Sequence, residues 1–295
     1  MPGRICTVTI STTDLRRSCE LYSRWLGYEV VSESGLDAAI AGLWGLPGLA
    51  GRPSAVLAPG GTGDTFLRFV QGPAAPDYVP FRHLGWNAAE HTVADVDALG
   101  EQLDGSPFRI IGPPADLSFT DRIRAMQVVG PDNEVLYLTQ IKGEVPGFAL
   151  PFAQHTVDRV FIMILGGADL EELMHWYQTR LGVPPAPVMD VVVSVLSNTY
   201  GQPPDTLHRI AAMPLSDACY IEADQMPAAA LPRPTAPGEL PPALAMVSFE
   251  VDALPPGLEW FSPPATLASL PYKGRRAAAC RGPTGELIEL IERST

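Results

Sequence analysis

Basic residues are scarce: 20 Lys and Arg stand against 33 Asp and Glu, giving a formal net charge of −13, and no basic run exceeds a pair. A polyanionic partner would be repelled over most of such a surface, so nucleic acid is excluded as a partner. Cysteine is scarce as well. Cys6, Cys19, Cys219 and Cys280 show no CxxC spacing, which gives neither a structural zinc site nor a disulfide framework. No apolar run approaches the roughly 20 residues that span a bilayer, and the opening MPGRIC lacks a charged-then-apolar signal pattern. The expectation is a cytoplasmic chain with no membrane partner. A phosphate loop, a GxGxxG fingerprint and a Ser-His-Asp spacing are also missing. The run Gly60-Gly61-Thr62-Gly63 joins two strand candidates and reads as a hairpin turn.

What is present is said twice. Asp14-Leu15, Tyr22 and Leu26-Gly27 recur with identical spacing as Asp169-Leu170, Tyr177 and Leu181-Gly182. Each half also closes alike, with GPDNEVLYL from Gly130 and GPTGELIEL from Gly282. An internal repeat of this length means two copies of one supersecondary module. The reading is a first module over residues 1–143, a linker over 144–156 and a second module over 157–295.

Within each copy the periodicity is clear. Residues 5–11 alternate, with Val8 and Ile10 on one side and Thr7, Thr9 and Ser11 on the other, which is a half-buried strand. Leu15, Cys19, Tyr22 and Leu26 then recur at helical spacing until Gly27 stops the turn. Three more strand candidates follow each helix, near 28–33, 52–57 and 65–71 in the first half and 190–197, 207–213 and 219–224 in the second. A second unit opens at 86–93 and at 245–251. A helix from Asp95 follows only in the first half, because Pro255-Pro256 truncates it in the second. Strand pairs 123–129 with 135–141 and 276–281 with 287–291 end the two halves.

Units of this kind, opened by DL…Y…LG and closed by GPxxE or GPxGE, resemble the vicinal-oxygen-chelate superfamily of glyoxalases, extradiol dioxygenases and bleomycin-sequestering proteins. The resemblance implies an α+β fold in which tandem βαβββ modules form curled half-barrel sheets with helices outside. It also implies a small-molecule site inside each half-barrel, where metal-using relatives place ligands on the first, fourth, fifth and last strands. Those positions here are Thr7, Arg68, Ala88 and Tyr137 in one copy, and Ile162, Glu222, Met246 and Glu289 in the other. Two carboxylates and no imidazole remain, too few donors for a catalytic metal. On this reading the chain uses no metal and no other cofactor.

The resemblance leaves two pairings open. Each half closes on itself, or Thr7 and Arg68 share a cavity with Met246 and Glu289 while Ile162 and Glu222 share one with Ala88 and Tyr137. Glu289, inward on the otherwise aliphatic strand LIELI, is the leading proton carrier, with a structural ion pair to Arg68 or Arg276 as the plainer role. Glu222 carries the same argument with less force. Glu90 shares strand parity with Ala88 and Trp86, so both Glu90 and Trp86 are expected in the cavity, Trp86 stacking on a flat substrate or merely walling the pocket. Tyr137 donates to an oxyanion or plugs the site. Arg68, Tyr137, Trp86, Thr7 and Met246 are thus the substrate-binding set.

The function expected from these residues is metal-independent proton transfer, of isomerase or lyase type, on a small hydrophobic and perhaps aromatic molecule. Sequestration of such a molecule without chemistry is the alternative from another class. A third keeps a metal, through His83 in His83-Leu84-Gly85-Trp86 and a non-standard ligand set with Glu289. A homodimer is compatible with all three.

Overall fold

The structure is a computed structural model that describes residues 1–60 and 63–294. Gly61 and Thr62, within the glycine-rich run read as a turn, lie outside the described residues. The elements run β1 (Ile5–Thr12), α1 (Leu15–Leu26), β2 (Tyr28–Gly35), α2 (Ala38–Leu43), β3 (Pro53–Pro59), β4 (Phe66–Gln71), β5 (Gly85–Val93), α3 (Val96–Leu103), β6 (Arg109–Leu117), β7 (Thr120–Val129) and β8 (Val135–Ile141) in the first half. The second half gives β9 (Val157–Gly167), α4 (Leu170–Leu181), β10 (Met189–Val192), α5 (Ser194–Tyr200), β11 (Leu207–Pro214), β12 (Tyr220–Gln225), β13 (Ala243–Val251), β14 (Ala265–Leu267), β15 (Arg275–Arg281) and β16 (Leu287–Glu292).

The repeated DL…LG pattern is a pair of helix caps. Asp14 accepts from the Arg17 amide at 3.0 Å, and Asp169 accepts from the Glu172 amide at 2.9 Å, each satisfying an orphan donor of the first turn. Gly27 and Gly182 close the same helices in the left-handed region, at φ 72° and 68°, where a Cβ would be strained.

The strands assemble across the halves. One eight-stranded sheet has the order β14-β15-β16-β13-β1-β4-β3-β2, and the other β10-β11-β12-β9-β5-β8-β7-β6. The first unit of each half therefore shares a half-barrel with the second unit of the other, joined through β1·β13 and β5·β9, both antiparallel. Residues such as Val8, Phe69, Phe249 and Leu290 from one sheet, and Ala89, Leu138 and Met163 from the other, join helices α1, α3 and α4 in one continuous apolar core. Among the described residues, no helix is long and apolar enough to cross a membrane.

Two short helices depart from the sequence reading. Residues 194–197 were expected in a strand, yet Ser194–Tyr200 is helical, and Ala38–Leu43 forms its counterpart in the first half. Both lie over the concave face of a sheet: Ile40, Ala41 and Leu43 pack with Met246 and Leu287, while Val195 and Leu196 pack with Ala88 and Ile164. Burial of three or so apolar side chains against a half-barrel overrides the β-branched local preference of segments this short.

The second repeated motif is a latch. Tyr22 donates to Glu134 at 2.7 Å, and Tyr177 donates to Glu286 at 2.9 Å, so each opening helix is tied to the closing turn of its own half. The same carboxylates accept from the turn amides of Asp132 and Thr284. The glycine of GPxxE is required because a Cβ on Gly130 or Gly282 would lie 1.9 Å from the glutamate Oε1. Tyr22→Phe is expected to cost about 1–2 kcal/mol by leaving Glu134 short of a donor, and Gly130→Ala more than that, since the carboxylate must move. Urea unfolding of the two variants checks the order; a Gly130→Ala protein as stable as wild type would contradict it.

Candidate functional site

Strand register carries the expected inward residues to the concave faces. In the first half-barrel Thr9 lies beside Arg68 on β4 and Met246 on β13, and Thr7 lies beside Ser248, which is itself beside Glu289 on β16. In the second, Glu222 on β12 is beside Ile164, Ile162 is beside Glu90, and Glu90 is beside Tyr137 on β8. Arg68 and Tyr137 therefore belong to different half-barrels.

Glu289 is fully buried and its oxygens are occupied. Oε1 accepts from Trp44 Nε1 at 2.8 Å and from the Tyr272 hydroxyl at 2.7 Å, while Oε2 accepts from the Ser248 hydroxyl at 2.6 Å. Arg68 is enclosed between the rings of Trp44 and Tyr272, with Cζ 5.1 and 5.3 Å from their centroids. It is 1% exposed, forms no ion pair among the described residues, and leaves Nη1 and Nη2 without hydrogen-bond partners. The ion pair expected between Arg68 and Glu289 is thus replaced by two aromatic donors from α2's C-terminal end and the β14–β15 loop. Arg276 instead pairs with Glu292 at 3.4 Å. Neither Trp44 nor Tyr272 stood out in the sequence, because Trp44 is 245 residues from Glu289 and Tyr272 lies in a loop whose path no local spacing marks.

The second half-barrel is built differently. Glu90, Glu222, Tyr137 and Ile162 are each only partly buried, and strand register sets them on the same sheet. Glu90 accepts from the Thr139 hydroxyl at 2.7 Å. Burial, reinforced by the Glu222 charge, pushes the Glu90 carboxyl up to about 8, and burial raises Glu222 to about 7. Asp224 is 2% exposed with an unpartnered Oδ1, and burial together with Glu222 holds it well above its ordinary value. Burial and these three carboxyls likewise push the Tyr137 phenol well up.

Trp86 does not enter this space. A register shift between Trp86 and Ala88 breaks the alternation, so Ala88 faces the concave side while Trp86 turns into the core shared by the two sheets. There its Nε1 donates to the Leu287 carbonyl at 2.9 Å and its ring lies 6.1 Å from Phe249. His83 precedes β5, stacks on Tyr78 with centroids 5.3 Å apart, and has Nδ1 3.1 Å from the Val79 carbonyl.

A metal does not fit these residues. The four inward positions of one half-barrel offer a hydroxyl, a guanidinium, a thioether and a carboxylate that already accepts from three donors; those of the other offer Ile162, Ala88, Tyr137 and one carboxylate. Among the described residues no three His, Cys, Asp or Glu side chains are grouped to hold an ion.

The elevated carboxyls make stability depend on pH. A carboxyl raised in the folded state contributes stability that is present below its unfolded value, near 4.5, and lost as pH rises through about 8 for Glu90. His91, which burial lowers to about 4, opposes this only below 6.5. Folding stability is therefore expected to fall between about pH 6.5 and 8, by up to about 1.4 kcal/mol per pH unit for each group, and the thermal midpoint with it. Glu90→Gln should flatten that slope, as calorimetry across the range would show; an unchanged slope would refute the assignment.

No family model matches the sequence, and no curated protein matches it. Solved structures do. Glyoxalase I from Zea mays superposes with a TM-score of 0.63 at 14% identity, over 98% of this chain and 92% of that one. A Bacillus subtilis protein assigned as a dioxygenase gives 0.62 at 10% identity, over 100% of this chain and 86% of that one. With two curled eight-stranded half-barrels, helices outside and this superposition along the whole chain, the protein has the vicinal-oxygen-chelate fold in two modules.

Proposed function

We propose that the protein is a metal-independent enzyme that transfers a proton within a small, largely hydrophobic molecule bound in the second half-barrel, in isomerase or lyase chemistry. The observation that carries this reading is the pair Glu90 and Glu222: two accessible carboxyls on one concave face, each with a proton affinity near neutrality. One of them, ionised, takes a proton from carbon; the other, protonated, returns it elsewhere on the substrate. Tyr137, beside Glu90, donates to the oxygen on which negative charge develops. Ile162, Ile164 and Val135 supply an apolar wall that excludes water.

Glu289 serves this reading from the other half-barrel as a structural group, since it is fully buried and holds Trp44, Tyr272 and Ser248 by hydrogen bonds. Sequestration without chemistry is favoured by one feature, the apolar lining of Ile162, Ile164 and Val135, which would hold a hydrophobic molecule whether or not the carboxyls act. Thermal-shift screening of hydrophobic aromatic and isoprenoid compounds, followed by NMR of each hit in D2O, separates the two. Enzyme-dependent exchange of a carbon-bound proton supports catalysis, and hits that remain unexchanged and unaltered would overturn it in favour of sequestration.

A further inference from the structure

The chemistry proposed for the second half-barrel leaves a feature of the first unused. A cleft of about 280 Å³ opens between β2, β3 and the N-terminal turn of α2 and ends on Arg68. Its walls are Ile40, Val56 and Leu270, and its rim carries Ser34 and Ser54. Arg68 is nine-tenths buried and more, and both terminal nitrogens lack a partner. On the strand beside it, the Thr7 and Thr9 hydroxyls face the same side and are equally unpartnered.

Four orphaned polar atoms on one concave face are not a stable end state for a protein interior. An unpartnered buried guanidinium costs several kcal/mol unless an anion or water meets it. Glu289 does not supply that partner, because its oxygens are spent on Trp44, Tyr272 and Ser248. The two rings hold the guanidinium flat, leaving its edge as the remaining direction for hydrogen bonds, and a planar two-oxygen anion matches that edge.

We infer that this cleft binds a small monocarboxylate with an apolar body, seated with its carboxylate on Arg68 and its body between Ile40, Val56 and Leu270. The volume is just under the roughly 300–1,000 Å³ of pockets for drug-sized ligands, so the ligand is of single-ring size. Asp37 also lines the mouth, its carboxylate capping α2 through the Ala39 amide at 2.8 Å, which disfavours a dianion such as phosphate. Because Arg68 is screened from solvent, the ligand enters by parting the side chains of the wall. This site is independent of the proton-transfer reading and requires no turnover.

The test is isothermal titration of the full chain with benzoate and with its neutral counterpart benzamide. Benzoate is expected to bind with a dissociation constant below about 1 mM and benzamide at least roughly tenfold more weakly. Arg68→Met keeps the buried stem and removes the charge, and should weaken benzoate binding by roughly 30-fold or more. Should that variant not fold, Val56→Phe decides, since it fills the cleft, leaves Arg68 in place and should abolish binding. Loss of benzoate binding in Arg68→Met and in Val56→Phe places the site in this cleft, because both residues line it and belong to the other sheet from Glu90 and Glu222. No saturable heat to about 10 mM benzoate, equal affinity for benzamide, or binding retained in both cleft variants would overturn the inference.

Discussion

Glu289→Ala is expected to lower the unfolding free energy by about 3–5 kcal/mol, a large share of the 5–15 kcal/mol typical of a folded domain. The change strips Trp44 Nε1, Tyr272 Oη and Ser248 Oγ of their common acceptor in a region closed to water, and leaves Arg68 as a buried charge with no carboxylate in its vicinity. Each orphaned donor alone costs about 1–3 kcal/mol. Glu289→Gln keeps an oxygen for Trp44 and Tyr272, so it should lose less than half as much, and it should leave any proton transfer within about threefold of wild type. Urea unfolding and single-turnover measurements read the two effects separately. If Glu289→Ala unfolds within about 1 kcal/mol of wild type, or Glu289→Gln loses turnover while remaining folded, the residue is not the structural hub described here.

The second large effect is chemical. Glu222→Gln and Glu90→Gln preserve shape and remove the titrating group, so each should lower the rate of proton exchange in a bound substrate by roughly 10²-fold or more, with little change in ligand affinity. The double variant should lose not much more than the worse single one, because an acid and a base that act in one step fail together. Tyr137→Phe should cost roughly tenfold or more through loss of one donor to the developing oxyanion. Rates unchanged in both glutamine variants would remove the pair from the mechanism.

The sequence was informative where the cause is local. Asp14 and Asp169 cap helices and Gly27 and Gly182 end them; the paired tyrosines and GPxxE glutamates recur in the sequence, but only the fold shows that they meet across 112 and 109 residues. Period-two alternation set Thr7 apart from Val8 and Ile10, while the family resemblance supplied Arg68, Glu222, Met246 and Glu289 as inward positions. Where a bulge intervened the rule failed: Trp86, expected in the cavity beside Ala88, turns into the core and bonds the Leu287 carbonyl.

By itself, then, the sequence determined the repeat and the strand–helix grammar of each copy, since these follow from spacing within a dozen or so residues. Tertiary structure alone decided that β1 joins β13 and β5 joins β9, which separates Arg68 from Tyr137 and Glu289 from Glu222. It also decided that α2 and α5 fold into the concave faces, that Trp44 reaches Glu289 from 245 residues away, and that Glu90 and Glu222 belong to one sheet. Strand partnership, burial of a short helix and saturation of a carboxylate all depend on groups distant in the chain, whose approach no local spacing encodes.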